Sequence, residues 1–246
     1  GITVGFHRHF AHRAFKASPA LRGLMAAAGQ MAGQGPVLYW TALHRRHHAF
    51  SDQIGDPHSP AARAQVRPCS PWSAFWHAHS GWALSHPVPM PSRYVADLLA
   101  DKPIRRINGH YYACVWAGLL LPMLAGAAWT GDLAGAFTGL YFGGFLRMAV
   151  TTQCIWGVNS VCHRFGSRPH DTGDGSTNSA LWALLTYGEG WHNNHHHRPT
   201  SARFGQGWWQ PDAGWVIVRA LRALGLVWNV RDGDRMTAER VQLRSP

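Results

Sequence analysis

Histidine is the residue type that stands out in this chain: 17 among 246 residues, against 12 Asp and Glu together. Three runs concentrate it, His7-Arg8-His9-Phe10-Ala11-His12, His44-Arg45-Arg46-His47-His48 and His192-Asn193-Asn194-His195-His196-His197. Imidazole is the commonest metal ligand, and an excess of it over carboxylates points to coordination by nitrogen rather than proton relay between acids. In the second and third runs the pattern HxxHH spaces imidazoles at i, i+3 and i+4, which share one helix face and can converge on a common point. Two such runs can grip metal from two directions. His7 and His12 are five apart, about 140° around an ideal α-helix, so they converge only if the helix ends there or the side chains reach. A lone helical histidine is more often structural or exposed than ligating; one HxxxxH and two HxxHH runs together change that balance. Their spaced histidines exceed the three or four protein ligands of one tetrahedral zinc, so two metals are the expected stoichiometry. Iron, zinc, copper and nickel all suit imidazole. Beside a membrane and an apolar substrate, the fitting task is O₂ activation at iron against an unreactive C–H bond.

The elements that must position these runs include two of bilayer length. Tyr111 to Trp129 carries no charge and Leu133 to Ile155 only Arg147, and both approach or exceed the roughly 20 apolar residues of a spanning helix. They predict a transmembrane hairpin over about residues 111–155. Its turn, Trp129-Thr130-Gly131-Asp132, has no Lys or Arg, whereas Arg105 and Arg106 precede it and Arg164 and Arg168 follow. The positive-inside rule then puts both outer ends in the cytoplasm. Leu21 to Trp40, broken by Gly29, Gly33, Gly35 and Pro36, reads either as a helix that partly enters the membrane or as a buried soluble one. Pro57 to Pro71 reads as a loop, and the aromatic stretch Pro71 to His86 as a helix at the interface. Trp215 to Trp228, with Arg219 and Arg222 at helical spacing, suits an amphipathic helix on a membrane surface or a plain packing helix.

Composition bounds the rest. Only 14% of residues are charged, against roughly 25% in an average soluble domain, and 46% are hydrophobic, with 13 Trp. That excludes a disordered chain and disfavours an ordinary cytosolic one. The length predicts a single domain over 1–246. The net charge of +11 is nearly all Arg, since Lys16 and Lys102 are the only lysines. It fits an anionic lipid surface or an acidic protein. A nucleic-acid partner is not expected, because the Arg residues flank apolar spans and no reading motif accompanies them. Cys69, Cys114, Cys154 and Cys162 show no CxxC spacing and are given no role; they suit a reducing compartment.

With these residues in view, the chain resembles the membrane-bound fatty acid desaturases, specifically the acyl-CoA Δ9 (stearoyl-CoA type) branch. The resemblance runs from Gly1-Ile2-Thr3-Val4-Gly5-Phe6-His7-Arg8 and Ala11-His12-Arg13 through the second run with Asp56-Pro57-His58. It continues in Asn159-Ser160-Val161-Cys162-His163 and Gly188-Glu189-Gly190-Trp191-His192-Asn193-Asn194-His195-His196. It implies an all-α fold, four membrane helices under a cytoplasmic helical cap that carries a His-rich dimetal site, with the first run following the second helix. That run starts at residue 7, so a further transmembrane hairpin is expected N-terminal to the residues given. The implied cofactors are two non-haem iron ions with O₂ as co-substrate. The implied ligands are His7, His12, His44, His47, His48, His163, His192, His195 and His196, with Asn159 acting through water and no catalytic residue beyond them. His9, His58, His77, His79, His86, His110, His170 and His197 are left as supporting or surface residues, with His58 the one expected to orient a ligand.

The same resemblance implies a cis double bond, at Δ9, introduced into a saturated acyl chain that bends in a tunnel at Gln34, Trp40, Ile155 and Trp156. The family usually has Thr where Ile155 stands. Members that use acyl-CoA carry an Arg-Asp pair and basic residues where Ala42-Leu43 and Ala83-Leu84-Ser85 stand here, which leaves acyl-CoA, acyl-lipid and acyl-carrier-protein substrates open. No haem, flavin or iron–sulfur motif is legible, so two electrons per turnover must come from a donor of the ferredoxin, rubredoxin or cytochrome b5 type. Hydroxylation of an alkyl or lipid substrate and non-catalytic metal binding in a membrane protein are the alternatives.

Overall fold

The computed structural model describes residues 1–85 and 90–233. His86, expected at the end of the interface segment, lies outside the described residues. Among the described residues the fold is helical, apart from one antiparallel pair of two-residue strands, Lys16–Ala17 with Val227–Trp228.

The chain begins with a wide-wound π-helix, Ile2–Ala11. Its i→i+5 bonding, seen where the His12 amide donates to the His7 carbonyl at 3.1 Å, stacks residues five apart instead of turning them away from each other. The 140° objection to His7 and His12 therefore disappears, and their rings sit 4.9 Å apart. Leu21 to Trp40 is two helices, Pro19–Gln30 and Val37–Phe50. Ser18 caps the first, and the break between them uses Gly33 and Gly35, both at positive φ, followed by Pro36. Phe6, Phe10, Met25, Val37, Leu38 and Ile104 lock these helices into the main core.

The hairpin consists of Tyr111–Thr130 and Leu133–Ser160, with mean hydropathies of 1.5 and 1.3 and only 11% of the residues in each window buried. Trp116, Leu124, Phe137 and Phe142 point outward, as lipid-facing residues do. The two helices touch backbone to backbone: a Cβ on Gly126 would lie 2.1 Å from the Gly135 carbonyl oxygen, and one on Gly139 the same distance from that of Pro122. The charge that interrupts the second span is not presented to lipid. Arg147 donates to the carbonyls of Gly143 (2.7 Å), Gly118 (2.9 Å) and Met31 (3.3 Å), riveting the hairpin to the end of Pro19–Gln30.

Two expectations need correction. Pro57 to Pro71 is not all loop, because Ser59 accepts from the Ala62 amide and Pro60 fills the first helical position, starting the helix Pro60–Val66. The helix expected to Trp228 ends earlier, as Ala213–Ala223, where Leu224 and Gly225 close its last turn and Gly225 adopts φ 69° before the strand. It packs on the core through Val218, which is fully buried, and leaves Val216 and Ile217 outward. The interface segment forms as Pro71–Trp76, a π-turn His77–Gly81 and Trp82–Ser85.

Candidate metal centre

Nine imidazoles converge in two sets, each with its ligand-capable atoms within 4.8 Å of one another: His7, His12, His44, His48 and His195; and His47, His163, His192 and His196. The runs do not each close on a common point, as the HxxHH spacing suggested. Neighbours on an α-helix project about 100° apart, so i and i+4 go one way and i+3 the other. Val37–Phe50 sends His44 and His48 to the five-membered set and His47 to the other. His192–His197 does the reverse, sending His192 and His196 to the four-membered set and His195 across. His7 and His12 complete one set. His163, just beyond the second span, completes the other.

The donor geometry fits metal ions. Nitrogens bound at about 2.1 Å lie about 3.0 Å apart at right angles and about 3.4 Å apart at tetrahedral angles. Here Nε2 of His195 is 3.1 Å from that of His7 and 3.0 Å from that of His48, and His12 and His44 are 2.8 Å apart. In the other set His163 and His192 are 3.0 Å apart, and His47 and His196 are 3.3 Å apart. The last pair is the most telling. His47 Nδ1 donates to Asp56 (2.9 Å) and His196 Nδ1 to Asp174 (2.7 Å), so in neutral rings both facing Nε2 atoms carry lone pairs. Two lone pairs at that distance repel each other, and a shared cation satisfies both.

Carboxylates stand behind four of the nine rings. Besides those two pairs, His163 donates to Asp52 (3.1 Å) and His7 to Glu189. Burial alone would raise the Asp52, Asp56 and Asp174 carboxyls. The imidazole and hydroxyl or amide donors around them outweigh it and hold all three below the usual carboxylate range, Asp56 at about 2. Burial, reinforced by neighbouring imidazoles, holds His12, His44, His48, His192 and His195 well below their ordinary value, which keeps their lone pairs free. His196 is lowered to about 4 by burial despite Asp174. At His163 burial works downward, but the bond to and charge of Asp52 prevail and raise it.

The residues between the histidines fasten the runs to one another. Arg8, fully buried, pairs with Asp212 (2.7 Å), donates to the Ala202 carbonyl (2.8 Å) and lies over the Phe204 ring. Arg45 donates to the Phe10 (2.7 Å) and Ala11 (3.0 Å) carbonyls, closing the end of the π-helix from the second run. Asn194 donates to the Phe204 carbonyl and Gln210, and accepts from Asn178.

A cavity of about 360 Å³ opens beside the five-histidine set. Its wall holds Gln34, Trp40, Ile155 and Trp156 together with His44, His58 and Asn159. Trp40 stacks on His44 with ring centroids 5.1 Å apart. Where Ile155 offers no polar atom, Thr152, one turn earlier, accepts from the Gln34 amide at 2.6 Å. Asn159 lies in this wall. Asp56, in the same Asp-Pro-His triplet, orients His47, and His58 faces both, its Nδ1 3.8 Å from Asp56 and its ring 4.6 Å from that of His47. The remaining histidines mostly have local partners: His9 donates to the Phe15 carbonyl, His79 bonds Ser160 and Gln153, His110 donates to the Arg106 carbonyl, and His170 bonds Gln206 and stacks on His197. Histidine spacing gave no sign of Asp52, Asp174 or Glu189. The available signal was that acids are scarce here and several stand close to histidines in sequence.

Comparison with known proteins agrees with this geometry. The family model described as fatty acid desaturase matches residues 1–231. The chain is 44% identical over 232 residues to the hex-5-enoyl-[acyl-carrier protein] acetylenase of Moorena producens (strain JHB), covering 94% of this chain and 72% of that protein. It is 36% identical over 238 residues to the sn-1 stearoyl-lipid 9-desaturase of Anabaena variabilis, covering 96% and 80%. It is 37% identical over 237 residues to the acyl-CoA C20 Delta5-desaturase of Anemone leveillei, covering 94% and 69%. The histidine runs, the apolar hairpin and these likenesses together make the chain a member of the fatty acid desaturase family.

Proposed function

We propose that this protein is an O₂-dependent diiron desaturase that places a cis double bond, at Δ9, in a saturated acyl chain. The observation that carries this reading is the meeting of nine imidazoles in adjoining sets of five and four beside a cavity walled by Trp40, Ile155 and Trp156. The nine histidines would hold two irons, and Asn159 would reach one of them through a water. Bound iron would supply O₂ activation: O₂, with two electrons from the external donor and two protons, would end as two waters as two hydrogens leave adjacent carbons. The chain's own residues do the positioning: Trp40, fixed on His44, and the Gln34–Thr152 bond shape the wall against which the acyl chain bends. An oxidant able to attack an unactivated C–H bond is selective only through such placement.

The carrier follows from what is missing. Ala42-Leu43 and Ala83-Leu84-Ser85 offer no cation to CoA phosphates, so a lipid or an acyl-carrier protein fits better than CoA. The relatives' names span acyl-carrier protein, lipid and CoA carriers, and positions 5 and 9. The positive flanks of the hairpin orient the metal centre toward the cytoplasm, where an acidic ferredoxin, rubredoxin or cytochrome b5 can dock on the Arg-rich surface. The test is expression of the full-length gene in a desaturase-deficient host, with fatty acids profiled by mass spectrometry. An alkene without added oxygen is expected. An alcohol would mean hydroxylation, and reversible metal exchange without O₂ consumption would mean a metal-binding protein.

A further inference from the structure

Resting on the dimetal reading above, we propose that the two sets of histidines are unequal sites: the four-histidine set binds a divalent cation first and more tightly, and the set beside the cavity binds second. Three of its four imidazoles, His47, His163 and His196, donate Nδ1–H to a carboxylate, whereas in the five-histidine set only His7 does among the described residues. A carboxylate behind a ligating imidazole fixes its tautomer and raises its basicity, and losing such a partner typically costs 10- to 100-fold in metal affinity. One cation is thus faced by three negative charges and the other by one.

The three carboxylates are also better held. Asp56 accepts from the amides of Asp52 (2.9 Å) and His58 (3.1 Å), and Asp52 from the Gly175 amide and the Ser59 hydroxyl. Asp174 accepts from the Thr172 and Ser176 hydroxyls. Glu189, the lone carboxylate of the five-histidine set, has its other oxygen, Oε1, buried without a partner. Each set also contains one ring with an orphaned Nδ1, His192 in one and His195 in the other, so those rings do not account for the difference. The extra imidazole of the five-histidine set does not offset two carboxylates, because it is neutral. The weaker site is also the one whose His44 lines the cavity, so the less neutralised cation would stand next to the substrate.

The test is equilibrium titration of Co(II) into the metal-stripped full-length protein in detergent, followed by visible absorption and by metal analysis. Two steps of one ion each are expected, separated by at least tenfold. Asp56→Asn and Asp174→Asn keep an acceptor oxygen and remove the charge; each should weaken the first step 10- to 100-fold, while Glu189→Gln weakens only the second. Two equal ions in wild type, or a first step that responds to Glu189→Gln and not to the Asp variants, would overturn the proposal and leave the dimetal reading intact. Fewer than two ions per chain in wild type would overturn both.

Discussion

Replacing Arg8 by Ala should do more damage than any other single change between the histidines. The guanidinium is fully buried, pairs with Asp212 at 2.7 Å and supplies the Ala202 carbonyl with its donor. Asp212, itself buried, also accepts from the amides of Phe204 (2.7 Å) and Trp215 (2.9 Å), so it cannot move away when its partner is lost. Breaking a buried pair from one side costs about 3–5 kcal/mol, because it strands the other charge. At about 2–4 °C per kcal/mol for a chain of this size, the melting midpoint should fall by roughly 6–20 °C. The 13 tryptophans make intrinsic fluorescence in detergent a suitable readout. Asp212→Ala should cost a similar amount. The double variant should lose less than the sum of the two, by about 0.5–3 kcal/mol, since the second removal relieves the charge stranded by the first. Bound metal should fall as well, because His7 is the adjacent residue. A drop below about 2 °C for Arg8→Ala, or strict additivity in the cycle, would refute the claim that this pair fixes the first histidine run.

Three further outcomes follow from the packing and the charges. Thr152→Val removes the acceptor of the Gln34 amide, a bond worth about 0.5–1.5 kcal/mol. It should mix double-bond positions a few-fold in the product profile, and Thr152→Ser should restore the wild-type ratio. Gly126→Ala should destabilise the hairpin by about 1–3 kcal/mol, as overpacked interiors do, because its Cβ meets the Gly135 carbonyl at 2.1 Å. Gly109→Ala, with nothing within 4 Å of the new methyl, serves as the neutral control in the same thermal scan. His9 is held at about 4, first by burial and also by Arg22, against the upward pull of its bond to the Phe15 carbonyl and of Asp101. The folded state therefore resists a proton that the unfolded chain accepts near 6.5, so stability falls as pH drops from about 6.5 to 4. The loss is roughly 3 kcal/mol from this ring, and His9→Asn should flatten that part of the pH–stability curve.

The gathering of imidazoles and the apolar hairpin were largely legible in the sequence, because HxxHH puts three imidazoles on one side of a helix and because nearly uncharged runs of bilayer length admit few other readings. The division of the imidazoles was not. Whether His47 joins His44 or opposes it depends on what packs on each side of Val37–Phe50, and that partner, His163, lies more than a hundred residues away. The π-winding of Ile2–Ala11 was equally hidden, since a pattern read at 3.6 residues per turn cannot reveal that the turn itself is wider. The carboxylates escaped for a third reason. Glu189 reaches His7 only after the chain has crossed the hairpin and returned, whereas Asp56 lies nine positions from His47 and could have been weighed with it. The helix Pro60–Val66 has a legible start signal in Ser59-Pro60, set among prolines that otherwise suit a loop.

Because the second and third runs each send a pair one way and a single ring the other, both sets draw on both segments, and neither segment owns a site. Fraying of either helix would strip ligands from both positions at once. Both sets therefore loosen together when either of these helices frays, whereas fraying of Ile2–Ala11 reaches the five-histidine set alone. Transplanting one position without the other into a foreign scaffold is excluded for the same reason: the smallest portable unit is the interlocked pair.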